Sequence, residues 1–150
     1  MLDLDKNYYG KDYDIVILSG VTCFLSQKKL KQCFTRIHKV LKTGGLLFIQ
    51  TNHPDSYFKK AKSNWLQYIS YSFSSRISIK FRNSKWQVIS EGDINLHTKQ
   101  KIIKLLKISG FRIKKIYEPL ATKEDLKNFP HMWIDEDKIP FHLALIAERI

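Results

Sequence analysis

Apolar positions change their spacing along this chain, and each change of spacing predicts an element. Residues 1–12 are polar, punctuated by Gly10, and read as a loop. Ile15-Val16-Ile17-Leu18 then forms a continuous apolar run rich in β-branched residues. A run without polar alternation predicts a strand covered on both faces, as in a parallel sheet between helices. Over residues 27–41 the spacing lengthens to three and four: Leu30, Cys33, Phe34, Ile37, Val40 and Leu41 share one helical face. Lys28, Lys29, Lys31, Lys39 and Lys42 lie off that face. Ser26 suits the N-cap, and Gly44 or Gly45 suits a left-handed helix stop. Leu46-Leu47-Phe48-Ile49 follows as a second buried strand, completing a βαβ unit with a right-handed crossover.

Residues 52–75 are less regular, with a turn at His53-Pro54-Asp55 and many aromatic side chains. The spacing of Trp65, Tyr68 and Tyr71 has a helical period and predicts a helix that packs its rings into the core. The competing reading of residues 57–73 is the roof of a substrate pocket. Ile77, Ile79 and Phe81 alternate with Ser78, Lys80 and Arg82, which predicts a half-buried strand. Asn83-Ser84 turns it towards a partner strand around Trp86-Gln87-Val88. Thr98 caps a helix over 99–109, Ile102, Ile103, Leu105 and Leu106 face inward, and Gly110 stops it. Residues 111–117 alternate again as a strand, 118–140 form a long connection with Pro119, Pro130 and Pro140, and 141–147 form the last strand. No repeat or domain boundary interrupts this order.

Composition narrows the classes. A chain of 150 residues, 43% hydrophobic and 27% charged, fits one globular domain with one core. It contains no apolar run of about 18 residues, so no transmembrane helix is expected. Met1-Leu2-Asp3-Leu4-Asp5 has neither a basic segment nor an apolar core, unlike a secretory signal. Cys23 and Cys33 are too few for a disulfide framework or a four-ligand zinc site, so a reducing cytoplasmic setting is expected. The net charge of +12 admits a polyanionic partner such as nucleic acid. The excess is dispersed lysine rather than clustered arginine, which favours a solvated surface instead.

Four segments in this order resemble a known family. Tyr13-Asp14-Ile15-Val16-Ile17-Leu18-Ser19 is similar to the "FDxVxxx" fourth strand of class I S-adenosylmethionine-dependent methyltransferases. Val40-Leu41-Lys42-Thr43-Gly44-Gly45-Leu46-Leu47 resembles the "LKPGG" turn into strand five, with Thr43 where proline is usual. His97-Thr98-Lys99 through Leu106, then Ser109-Gly110-Phe111, resembles the helix and "(A/S)GF" start of strand six. Ile139-Pro140-Phe141-His142-Leu143 resembles the "PFFL" lead into strand seven. The resemblance implies an α/β fold: a partial Rossmann-like methyltransferase sheet, strands four to seven with the last antiparallel, and flanking helices. The family's whole sheet has the order 3-2-1-4-5-7-6. The six glycines, Gly10, Gly20, Gly44, Gly45, Gly92 and Gly110, form no G-x-G-x-G loop, so the part that holds most of the cofactor has no counterpart here.

The resemblance also assigns residues. Asp3, with Asp5 as the alternative carrier, would contact the adenine amino group of S-adenosylmethionine. Ser19, Gly20 and Val21, just after the first strand, would lie beside its methionine part, where open α/β sheets bind ligands. His53, just after the second strand, could take a proton from an attacking hydroxyl or amine. His97 fits the helix-cap region, and Cys23 fits a buried inert thiol. The expected activity is methyl transfer to a small-molecule acceptor, by a chain inactive until joined to its N-terminal counterpart. The strand at 15–18 would be an exposed edge that recruits that counterpart or a second copy, or else the mark of a truncated gene product. The alternatives are a non-catalytic remnant serving as an interaction module, and a basic nucleic-acid-binding domain.

Overall fold

The computed structural model of the chain describes residues 10–54, 56, 66–71, 76–83, 85, 87–128 and 138–150. Its strands are β1 (Tyr13–Ser19), β2 (Leu41–Asn52), β3 (Leu66–Tyr71), β4 (Arg76–Arg82), β5 (Val88–Asn95), β6 (Phe111–Tyr117) and β7 (His142–Arg149). Its helices are α1 (Gln27–Val40), α2 (Lys99–Ile108) and α3 (Lys123–Asn128). The main sheet has the order β1-β2-β7-β6, and β3-β4-β5 form a separate antiparallel sheet. β1 and β2 are parallel, as a βαβ unit requires, while β7 runs antiparallel between β2 and β6.

Local chemistry explains the helices. Ser26 Oγ accepts from the Lys29 N–H at 3.4 Å, and Thr98 Oγ1 accepts from the Lys101 N–H at 3.3 Å. Gly110, at φ +88°, ends α2 in the left-handed region as expected. The end of α1 differs from expectation. The helix stops at Val40, and Leu41 is already extended (φ −74°, ψ 151°) and wholly buried. Gly44 does take the left-handed conformation (φ +79°), but inside β2. Leu41 gains more from the core and from pairing with Tyr13 than from one more residue of helix.

The core lies on one face of the main sheet. Leu30, Phe34 and Ile37 of α1 meet Ile102, Leu105 and Leu106 of α2 over Leu18, Leu47, Ile49, Leu143 and Leu145. Each fully buried side chain of this size contributes roughly 1.5–3 kcal/mol. The expectation of cover on both faces fails. Leu18 is 3% exposed, but Ile15 and Ile17 are 59% and 68% exposed. α1 and α2 share the Leu18 side, whereas Ile15 and Ile17 face the other. Among the described residues, both longer helices, α1 and α2, lie on the Leu18 face.

Two further expectations are corrected. Tyr68 and Tyr71 belong to a strand, not a helix, because residues 66–71 pair with β4, Tyr68 opposite Ile79. Residues 57–65 and 72–75 lie outside the described residues. The long connection 118–140 contains α3. The Thr122 N–H donates to Asp125 Oδ2 at 2.8 Å and the Asp125 N–H donates to Thr122 Oγ1 at 3.1 Å, a reciprocal capping box. β4 alternates as expected, with Ile77 and Ile79 buried over Cys23, Ile94 and Leu96. Asn83 Oδ1 shapes the following turn by accepting from the N–H groups of Lys85 and Gln87, both at 3.0 Å. Among the described residues, no helix is long and apolar enough to cross a membrane.

Candidate functional site

Because β7 is antiparallel to both β2 and β6, the carboxyl ends of β1, β2 and β6 share one rim with the start of β7. The loop leaving β1 is built on that rim. Gly20, at φ +67°, turns the chain, and its N–H donates to the Gln50 carbonyl at 3.0 Å. A Cβ at Gly20 would meet nothing within 4 Å, so the backbone there faces open space. Ser19 Oγ donates to Gln50 Oε1 at 2.8 Å, and Gln50 Nε2 in turn donates to His142 Nδ1 at 2.9 Å. Val21 is half-buried against the main core. Below it, the buried hydroxyls of Thr22 and Thr51 bond to each other. The end of β5 and the connection after it hold the rest of the loop: Asn95 Nδ2 donates to the Cys23 carbonyl at 3.4 Å, and His97 Nε2 donates to the Leu25 carbonyl at 2.8 Å.

His53 occupies a different part of the rim. It is 3% exposed, and its backbone N–H donates to the Phe141 carbonyl at 2.8 Å. Its carbonyl accepts from Ser56 Oγ at 2.7 Å. Its Nε2 lies 2.7 Å from Glu118 Oε1, and Lys99 Nζ donates to both oxygens of the same carboxylate at 2.8 and 2.9 Å. Lys99, and then His53, hold the Glu118 carboxyl below its ordinary pKa. Lys99 opens α2, so this cluster sits on the helix side of the sheet. Ser19, Gln50 and His142 form a chain on the opposite side, because Gln50 and Ser19 share a row of the register with Ala144 rather than with the core positions. The structure thus brings Ser19 and Gly20 together and ties His53 into a separate ionic cluster.

His97 and Cys23 are structural. Burial lowers the His97 pKa and raises that of the Cys23 thiol, which keeps both neutral. His97 Nδ1 has no hydrogen-bond partner among the described residues. Asp3 and Asp5 lie outside the described residues. Among the described residues, no group of three or more His, Cys, Asp or Glu side chains could hold a metal ion.

Sequence reasoning missed Gln50, His142, Lys99 and Glu118. Each had a positional signal: Gln50 ends an apolar strand run, His142 stands within the motif leading into the last strand, and Glu118 follows β6 directly. The pairings could not be read, since Gln50 and His142 are 92 positions apart and His53 and Glu118 are 65 apart.

This main sheet with its helices is similar in fold to part of the solved S-adenosylmethionine-dependent methyltransferases. A crystal structure of such an enzyme from Clostridium acetobutylicum superposes with a TM-score of 0.67 at 13% identity, covering 98% of this chain and 62% of that one. Another, from Mesorhizobium loti, gives 0.65 at 19% identity over 98% of this chain and 67% of that one. A glycopeptide N-methyltransferase complexed with S-adenosyl-L-methionine gives 0.60 at 12% identity over 99% and 58%. The chain therefore spans roughly three fifths to two thirds of the solved chains it matches. No protein-family model matches the sequence, and no curated protein does.

Proposed function

We propose that this chain is the strand-four-to-seven part of a class I S-adenosylmethionine-dependent methyltransferase, with the rim after β1 forming the methionine side of the cofactor site. The observation that carries this reading is the strand order. β1-β2-β7-β6, with antiparallel β7 between β2 and β6, corresponds to 4-5-7-6 in that fold. Ligands of open α/β sheets bind beyond the carboxyl ends of the strands, where Ser19, Gly20 and Val21 stand. The rim fits one side of the cofactor. Gly20 allows close backbone approach, and Ser19 offers a hydroxyl oriented by Gln50. By the resemblance, Asp3 or Asp5 would accept from the adenine amino group.

When bound, the cofactor supplies an electrophilic methyl group, so the protein's work is positioning and exclusion of water. The Thr22–Thr51 bond and the anchors from Asn95 and His97 fix the loop that carries Ser19 and Gly20. His53 serves as the proton acceptor for the attacking group, and the Glu118 carboxylate stabilises the resulting imidazolium. Lys99 keeps Glu118 ionised for that task.

Equilibrium dialysis against radiolabelled S-adenosylmethionine tests the reading. The chain by itself is expected to retain negligible label, because its glycines supply no G-x-G-x-G loop. The chain assembled with a polypeptide carrying a strand followed by that loop is expected to bind in the micromolar range. Micromolar binding by the chain alone contradicts the division of the site. An assembled protein that binds none contradicts the methyltransferase assignment and leaves a non-catalytic module.

A further inference from the structure

Dispersed along the sequence, the lysines gather in the fold. α1 carries Lys28, Lys29, Lys31, Arg36 and Lys39, and α2 carries Lys99, Lys101, Lys104 and Lys107. Neither helix contains an Asp or Glu, so this layer holds nine positive charges and no negative one, against +12 for the whole chain. Both helices turn their apolar sides into one shared core. The side away from that core is the row Lys28, Gln32, Thr35 and Lys39 on α1, and Gln100, Lys104 and Lys107 on α2, all exposed. The described carboxylates are used elsewhere: Asp14 pairs with Lys42, Glu91 with Lys80, Glu118 with Lys99, and Glu148 with Arg112 and Lys114. Among the described residues, Lys28, Lys29, Lys31, Lys39, Lys101, Lys104 and Lys107 have no ion pair. The arrangement opposes helix stability. Lys101, Lys104 and Lys107 repeat every three residues, so like charges are neighbours on the helix surface. Lys28, Lys29 and Lys101 stand in first turns, where the helix dipole favours negative groups. A face kept only for solubility intersperses both signs.

We infer that the outer face of α1 and α2 binds double-stranded nucleic acid through its phosphates, without reading base sequence. The inference does not depend on the methyl-transfer reading. Three observations select this partner. The first is charge: α1 is 14 residues long, roughly 21 Å, and a duplex of that length presents on the order of 12 phosphates. The second is the lack of an apolar anchor. Ile108, at the end of α2, is the one large apolar side chain exposed on these two helices, so a membrane surface or an acidic protein would find no apolar centre to bury. The third is the lack of an exposed aromatic ring on either helix, since Phe34 is wholly buried. Single strands are gripped by stacking bases on such rings, whereas duplex phosphates need only cations. Lysine suits this task as a point charge on a long stem, and offers none of the forked geometry with which arginine reads guanine.

The probe is a fluorescently labelled, mixed-sequence DNA duplex of about 20 base pairs, titrated with the full chain and followed by anisotropy. If about four lysines neutralise phosphates, raising the salt from about 50 to about 200 mM weakens binding about a hundredfold. A second duplex of scrambled sequence should bind equally. Lys104→Gln combined with Lys107→Gln removes two of those contacts, so the same change of salt should then cost only about tenfold. Both positions are exposed and glutamine is a comparable helix former, so the thermal midpoint should not fall. Lys80→Gln combined with Lys85→Gln removes the same charge from the small sheet and its turn, and should leave the hundredfold loss in place. The inference is overturned if no duplex binds at the lower salt. It is also overturned if the two double variants behave alike, which would make net charge, and not this face, the cause. Tighter binding to vesicles of anionic phospholipid than to the duplex would assign the face to a membrane and overturn it as well.

Discussion

Alanine at Gly45 tests whether the seam between β1 and β2 is as tight as its geometry. A Cβ there would lie 2.8 Å from the Lys42 carbonyl oxygen, 3.0 Å from the Tyr13 carbonyl oxygen and 3.2 Å from Leu41 Cδ2. Two of these contacts are backbone atoms and cannot rotate aside. Relief therefore requires moving β1 away from β2 near Tyr13 and Leu41, where the register already shifts. Overpacking of this kind costs typically about 1–3 kcal/mol, and backbone contacts put this case near about 3 kcal/mol. Gly44→Ala is the internal control. Gly44 has φ +79° with nothing within 4 Å of a Cβ, so its substitution costs only the left-handed conformation, about 1 kcal/mol. Urea unfolding followed by far-ultraviolet circular dichroism measures both, and hydrogen exchange at Val16–Leu18 should quicken only in Gly45→Ala. Equal losses in the two variants, or a neutral Gly45→Ala, would refute the reasoning, because the seam would then have room for a methyl group.

The remaining expectations are simpler. Thr98→Ala removes the acceptor for the Lys101 N–H and should cost about 1 kcal/mol in the same assay; a neutral result would show that α2 needs no cap. Burial lowers the His97 pKa, so the unfolded chain takes up a proton that the folded chain refuses. Stability from this group is complete above about pH 6.5, the ordinary histidine value, and is lost as pH falls below it towards the folded value. His97→Gln keeps a donor for the Leu25 carbonyl and should flatten the acid side of the thermal midpoint against pH. A profile parallel to that of the unaltered chain would assign the acid loss to other groups.

Much of the fold was legible because its signals are local. The three- and four-residue spacing of α1 and α2, the hydroxyls of Ser26 and Thr98, and the glycine at position 110 act within a turn or two of chain. The alternation of Ile77 and Ile79 with Ser78 and Lys80 likewise marked a strand with one buried face. Where two patterns competed, the sequence misled. Tyr68 and Tyr71 carry a helical spacing but lie in β3, because ladder bonds to β4 outweigh a weak period. β5 was seen only at its start, since Ser90-Glu91-Gly92-Asp93 does not alternate. The box that caps α3 was written in Thr122 and Asp125, but the surrounding prolines suggested loop.

The candidate site divides in the same way. Ser19, Gly20 and His53 could be chosen from sequence because a residue just past a strand end sits on the rim whatever else the chain does. The ionic cluster of His53, Glu118 and Lys99, and the chain from Ser19 through Gln50 to His142, join residues far apart in sequence. Hydrophobic period determined which residues of β1 were apolar, and thus that the segment is a strand. It could not determine that Leu18 would be buried while Ile15 and Ile17 face outward bare. That outcome depends on where α1 and α2 pack, and burial is set by what lies across the sheet rather than by the residue that is covered or left open.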